Sequence, residues 1–269
     1  MNRKLKLVLA RMGEEDPTFM VHDDPETGQT ILRGMGELHL EIVCDRLQRE
    51  FNVPVNVGKP QVVYRETLLV SAEASEAFER SFDENAKMKN MYAGMTLEAG
   101  PAPRGNGISF QNDWKQPDSL SASSYQEWVR SAEEGVREAA GSGPKTGYPM
   151  VDVAIRLKSL DYRDGETTPI AVHIVAASAF RKVSQKAQTA VLLPVMSLEV
   201  TIPDDFTGTV IGDVNARGGR VEKVEKRVTR TLVHARVPMT KMFGYSTNLR
   251  SLTEGRGTFT MSFLKFDAM

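Results

Sequence analysis

Residue types that could carry chemistry are sparse in this chain, and their spacing is informative mainly for what it rules out. Four histidines, His22, His39, His173 and His234, lie far apart in sequence, without the short spacings that let imidazoles share a metal. The sequence holds no GxSxG elbow, no HExxH pair and no CxxC. Gly58-Lys59 is followed by Pro60, which cannot open a phosphate-cradling helix with the free N–H groups that a nucleotide phosphate needs. Glu37 and His39, in the run GMGELHLE, set one acid two residues from one imidazole. That is neither a metal set nor a triad, so domain packing is the expected role. Cys44, the single cysteine, excludes an internal disulfide and is expected as a buried structural thiol. The densest cationic run is Arg217, Arg220, Lys223, Lys226, Arg227 and Arg230, interleaved with Glu222 and Glu225. It suits either a salt-bridged strand surface or contact with phosphates. The chemistry on offer is binding, and no catalytic residues are expected.

Bulk properties limit what is bound. The chain has 269 residues, long for one ordinary domain and comfortable for two or three. It is 41% hydrophobic and 26% charged, enough apolar material for packed cores. Lys plus Arg total 34 against 35 Asp plus Glu, a formal charge of −1, so any nucleic-acid contact must be local. No run of 18 apolar residues appears, so no membrane span is expected, and the charge-broken N-terminus does not resemble a secretory signal. A lone cysteine fits a reducing, cytoplasmic setting.

The elements that must position these residues fall into three groups. The first reads as a helix over 4–12, stopped by Gly13 and the Asp16-Pro17 step, then strands Phe19–His22 and Thr30–Gly34 around a turn-rich loop. A helix follows over Gly36–Phe51, with Leu40, Val43, Cys44, Leu47 and Phe51 on one stripe. Strands Val53–Val57 and Val62–Leu68 close a βαββαβ unit lacking its first strand. The last group is the complete version. It has strand Ser197–Ile202, a helix capped by Pro203-Asp204-Asp205, strands Val221–Lys226 and Thr229–Val237, a helix near Lys241–Leu252, and strand Thr258–Lys265. The middle group opens with strands and Gly/Pro/Asn-rich loops, then a helix from about Ser123 to Ala140 and a strand over Val151–Leu157. A polar loop, Lys158–Thr168, leads to Thr168-Pro169, a hydroxyl cap followed by proline at the first helical position, and the helix runs on through Ala187. The expected fold is α+β: two ferredoxin-like βαββαβ sandwiches, the first without its initial strand, flanking an elongated α+β domain.

Three stretches carry a family resemblance. EEDPTF followed by GQTILRGMGELHLEIVCDRLQREFNVPVNVGKPQVVYRET (within residues 14–67) resembles the third domain of elongation factor G and its eukaryotic counterpart. GVREAAGSGPKTGYPMVDV (135–153) is similar to the helix–loop–strand of that family's fourth domain. LLPVMSLEVTIPDDFTGTVIGDVNARGGRVE (192–222) is similar to the start of its fifth. The order and spacing are those of the family and cover nearly the whole chain.

The resemblance implies a ribosome-engaging body in three parts. These are a third domain over 1–68, a tRNA-mimicking rod of the ribosomal protein S5 domain 2-like type over 69–190, and a fifth domain over 191–269. It implies that GTP, with Mg, is held by an upstream GTPase domain outside this sequence, so that this chain alone has no cofactor and no activity. In the family the third domain begins with a strand just ahead of the 4–12 helix, so an N-terminally shortened chain is expected. The implied partners are the ribosome, with rRNA and with mRNA and tRNA at the decoding centre, and the chain's own GTPase domain. That domain would meet the segment of Glu37 and His39. The implied state is a cytoplasmic monomer. Two tip loops are implied at the end of the rod. In one, Asn85–Met91 replaces the family's GGRGQYGH just before Tyr92; in the other, Asp161–Thr167 replaces Tyr-His-Glu-Val-Asp-Ser-Ser. Tyr162 matches, and Arg163 stands where the family has a histidine. Lys87, Lys89, Tyr162 and Arg163 are therefore the expected RNA contacts at the tip, and Arg217, Arg220, Arg227 and Arg230 the expected rRNA contacts of the fifth domain. The implied task is translocation of tRNA and mRNA driven by GTP hydrolysis. The departures at the tip leave open a specialised paralogue serving recycling, rescue or ribosome protection.

Overall fold

The computed structural model describes residues 3–34, 37–58, 61–84 and 87–268. In chain order the elements begin with α1 (Arg3–Glu15), β1 (Met20–Asp23), β2 (Thr30–Arg33) and α2 (Glu37–Arg49). β3 (Arg65–Leu68), β4 (Ala72–Glu84), β5 (Lys87–Pro101), β6 (Ile108–Asn112), α3 (Ala122–Ala139), β7 (Val153–Asp161) and α4 (Pro169–Lys186) follow. The chain closes with β8 (Thr189–Ile202), α5 (Thr207–Ala216), β9 (Arg220–Lys226), β10 (Thr231–Pro238), α6 (Tyr245–Leu252) and β11 (Thr258–Asp267). The fold is mixed α+β. It divides into two compact units, one formed by 1–63 with 193–264 and the other by 64–192 with 265–268.

Within the first unit, α5 and α6 pack on a sheet ordered β11-β8-β10-β9. Numbering those strands one to four in chain order gives 4-1-3-2, the ferredoxin-like arrangement expected for this region. Val200, Ile202, Val210, Val214 and Val233 are fully buried between the layers. The expected cap of the first helix differs. A short 3-10 turn over Asp204–Phe206 precedes α5 with no side-chain cap bond, because the Asp204 carboxylate instead accepts from the Thr231 hydroxyl at 2.6 Å.

The N-terminal part of the same unit packs α1 and α2 around Leu9, Met12, Phe19, Val43, Leu47 and Val53. α1 runs straight through Gly13 and ends only before Asp16-Pro17, since one glycine costs a helix about 1 kcal/mol and the pre-proline restriction costs more. β1 and β2 form an antiparallel hairpin. The expected strand Val53–Val57 carries no ladder, because a strand exists only with a paired neighbour and no described strand lies beside it. Of the expected strand Val62–Leu68 only Arg65–Leu68 is ladder-bonded, to Thr189–Leu192 of β8.

The second unit is a four-stranded sheet, β4-β5-β7-β6, with α3 and α4 packed against each other and on one of its faces. Thr168 caps α4 by accepting from the Ala171 amide at 3.2 Å, and Pro169 begins the helix as expected. The main departure is the hairpin of β4 and β5. Residues 87–91, expected in a tip loop, continue β5 in register with β4 as far as Glu84 opposite Lys87. β7 likewise extends to Asp161, shortening the expected polar loop Lys158–Thr168 to 162–168.

Candidate functional site

β7 stops opposite Gly94, so the β4–β5 hairpin runs on as a two-stranded ribbon beyond the sheet. Lys87 lies seven residues past that point in β5, about 23 Å at strand rise. The backbone of Lys87 is placed by this register, while its side chain lies outside the described residues. Lys89 is exposed, opposite Phe82.

The loop 162–168 folds back against the base of this ribbon. The Tyr92 amide donates to the Glu166 carbonyl at 3.1 Å, and the Thr167 hydroxyl donates to the Tyr92 carbonyl at 2.7 Å. The Asn90 side-chain amide donates to the Glu166 carboxylate at 3.3 Å. The two expected tip segments therefore meet, at the level of Asn90–Gly94. Tyr162 and Arg163, adjacent in sequence, have different surroundings. The Tyr162 ring packs 5.4 Å from that of Trp128, and its hydroxyl shares a hydrogen bond with Ser119. That fixes the root of the loop. Arg163 lies on the helix-free face, its guanidinium carbon 3.7 Å from the centroid of the Tyr92 ring. Nη1 of Arg163 donates to Glu79 at 2.8 Å and to Glu166 at 3.4 Å. The hydrogen bond to Glu79 raises the guanidinium further above its ordinary value. The Tyr92 hydroxyl donates to Asp161 at 2.6 Å, and that carboxylate pushes the phenol up.

The basic run at 217–230 is split by its strand. Arg217 turns inward: Nε donates to Asp213 at 2.9 Å, Nη1 donates to the Lys241 carbonyl at 2.7 Å, and the guanidinium lies 5.1 Å over the Tyr245 ring. Burial above all, with Asp213 adding to it, pushes the Tyr245 phenol up to about 12. Arg220 opens β9, and Arg227 and Arg230 flank the turn at its other end, about 23 Å away at strand rise. Both acids of the run are engaged, Glu225 by Lys223 and Glu222 by Arg236. The turn is closed by the Arg227 amide donating to the Arg230 carbonyl at 2.7 Å, and it carries Val228 fully exposed. Lys226, Arg227 and Arg230 thus gather at one hairpin end with no ion pair among the described residues.

His39, His173 and His234 each stand beside a carboxylate, while His22 is exposed on β1. His39 Nε2 sits 2.8 Å from an Asp16 carboxylate oxygen and its ring meets Phe19 edge-on, tying α2 to the turn after α1. The side chain of Glu37 lies outside the described residues. His173 pairs with Glu138 at 3.2 Å. His234 Nδ1 lies 3.4 Å from Glu199, and its buried Nε2 stands 3.7 Å from Glu225 without a hydrogen bond. Cys44 is half-buried and lines an apolar cavity of about 630 Å³ with Leu9, Ile31, Leu40 and Val55; burial raises its thiol. Among the described residues no group of three His, Cys, Asp or Glu could hold a metal ion, and no helix is long and apolar enough to cross a membrane.

Comparison with known proteins gives three consecutive matches. Residues 1–59 match the family model for elongation factor G domain III, residues 60–188 that for domain IV, and residues 191–269 that for the elongation factor G C-terminus. The chain is 42% identical over 264 residues to elongation factor G 2 of Syntrophus aciditrophicus (strain SB). That alignment covers 98% of this chain and 38% of the relative. A crystal structure of a Thermus thermophilus protein superposes with a TM-score of 0.81 at 30% identity, over 98% of this chain and 38% of that one. The chain thus spans a little over a third of the length of these relatives.

Proposed function

Given that the chain belongs to the elongation factor G family, with domains III and IV and the C-terminus of that family in order, we propose that it is the ribosome-engaging body of a cytoplasmic translation elongation factor. Its three-domain division would fall at 1–68, 69–190 and 191–269. GTP hydrolysis in a domain outside this sequence would be coupled through it to movement of tRNA and mRNA. The residues here do not fit a guanine nucleotide and its magnesium, as Lys59-Pro60 offers no phosphate loop. The segment of Glu37 and His39 would meet the GTPase domain.

The observation that carries this reading is the β4–β5 ribbon projecting past the end of β7. A narrow two-stranded arm can enter a site too tight for a whole domain, and Lys87 and Lys89 put cationic charge near its end. A second contact would be the β9–β10 hairpin end, where Arg227, Arg230 and Lys226 face outward, with Arg220 further along the strand. Arg217, turned inward, would support that region. The relative of similar sequence bears an elongation-factor name, which favours translocation over recycling, rescue or protection.

The test is co-sedimentation of this chain with ribosomes across a potassium chloride series. Lys87→Ala with Lys89→Ala is expected to weaken binding several-fold and to reduce the slope of log K against log salt by about 0.7 per lost phosphate contact. Unchanged affinity and slope would overturn the assignment of the tip.

A further inference from the structure

We propose that Arg163 is a positioning residue, a latch fixing the base of the β4–β5 ribbon to the 162–168 loop, and that phosphate contact is left to the lysines further along the ribbon. This rests on the reading of the ribbon as the RNA-facing tip.

Glu79 and Tyr92 are direct ladder partners on neighbouring strands. The guanidinium covers both, stacked on the ring while donating from Nη1 to the carboxylate. A third group, Glu166, comes from the loop itself and accepts from the same nitrogen. Arg163 therefore joins β4, β5 and the loop in one contact. Its backbone is held too, the Arg163 amide donating to the Thr167 hydroxyl oxygen at 3.0 Å. The local design depends on Gly94. A Cβ there would stand 3.0 Å from the Asp161 Cβ and 3.1 Å from the Tyr92 hydroxyl, and would crowd the Tyr92–Asp161 bond.

Charge decides between a latch and a phosphate fork. One guanidinium faces three carboxylates, Glu79 and Glu166 directly and Asp161 across Tyr92. A phosphate brought to this spot meets a site already overcompensated in negative charge, so repulsion opposes it. A planar guanidinium between ring and carboxylates is instead well suited to fixing geometry, through a stack and a directed hydrogen bond that an ammonium would not reproduce. A small change of angle at this base is carried along the ribbon to Lys87.

Two readouts on this chain test the proposal. The first is amide hydrogen exchange along 88–91. It should speed up several-fold in Arg163→Ala and in Glu79→Gln, with Arg163→Lys between Arg163→Ala and wild type. The second is the same ribosome co-sedimentation series. Arg163→Ala and Glu79→Gln should each weaken binding several-fold with the salt slope unchanged, and the double variant should be no worse than either single. If Glu79→Gln tightens binding while Arg163→Ala lowers the slope by about 0.7, Arg163 is a direct phosphate contact and the latch is wrong. Unaltered exchange in both single variants also overturns it, whatever binding does. If exchange rises as expected while Lys87→Ala with Lys89→Ala leaves binding untouched, the latch stands and the RNA-facing reading of the tip fails.

Discussion

Glu66 enters β3 with no exposed surface, and the loop after α3 closes over its carboxylate. The Lys145 and Thr146 amides donate to it at 3.0 and 2.7 Å, and the Thr146 hydroxyl donates as well. Burial by itself would raise this carboxyl, but the Thr146 hydroxyl and the two amides outweigh it and hold it below the ordinary glutamate value of 4.5. The sign of the linkage follows. A carboxyl with a depressed folded-state pKa contributes stability that is fully present above its unfolded value and is lost as pH falls through the folded one. Glu66→Gln keeps the shape but turns an NH₂ group toward donors, and should cost about 2 kcal/mol at pH 7. Urea melts should show the gap between wild type and Glu66→Gln narrowing as pH drops below about 4.5, the unfolded glutamate value. A gap of constant size between pH 7 and pH 3 would mean that the carboxylate is not what fastens this loop.

Helix α3 crosses α4 at a point where one side chain must be absent. A Cβ on Gly135 would come within 2.4 Å of the His173 carbonyl oxygen and 3.1 Å of its carbon, both backbone atoms that no rotamer change can move. Gly135→Ala should therefore push the two helices apart and destabilise this unit by about 1–3 kcal/mol, against the gain of roughly 1 kcal/mol that alanine brings to an exposed helix interior. Thermal unfolding followed by circular dichroism checks this; a raised melting temperature would show that the helices do not approach so closely in solution. The crossing was not legible in sequence, since Gly135 sits inside a strong helical pattern and only its partner explains it. Periodicity and the Thr168 cap did locate α2, α3, α4 and the β8–β11 sandwich, because the information there is local: an apolar stripe and Thr168-Pro169. Failures came where pairing decides the structure. Val53–Val57 has the composition of a strand and no described ladder partner, and residues 87–91 look like a polar loop yet form a strand because Arg80–Glu84 lies opposite. The site followed the same rule. Arg163 stood out in the sequence as a cation expected to touch RNA, but the Tyr92–Arg163–Glu79 stack unites positions up to 84 apart in sequence, and no spacing announces it.

On the scale of the whole chain, acids and bases nearly cancel, 34 against 35, and location matters more than the sum. Ion pairs consume much of the cationic surface: Arg46 with Glu15 and Glu50, Arg137 with Glu133, Lys182 with Glu76, Arg236 with Glu222. The hairpin end at Lys226–Arg230 departs from that pattern, and it is where a molecule of almost zero net charge would engage a polyanion under the proposed function. Nucleotide recognition imposes a different requirement. A triphosphate needs several backbone N–H groups converging from a glycine-rich turn at a helix N-terminus, with a lysine and a hydroxyl to complete the cradle. The one Gly-Lys pair that begins to look like such a turn runs into Pro60, and its lysine has no serine or threonine after it. This chain is accordingly expected to engage ribosomes while neither binding nor hydrolysing GTP. Equilibrium titration with a fluorescent guanine nucleotide should show no saturable signal, and addition of ribosomes should produce no phosphate release. Micromolar nucleotide binding by these 269 residues would place part of the nucleotide site within the body and require a different division of labour from the one proposed.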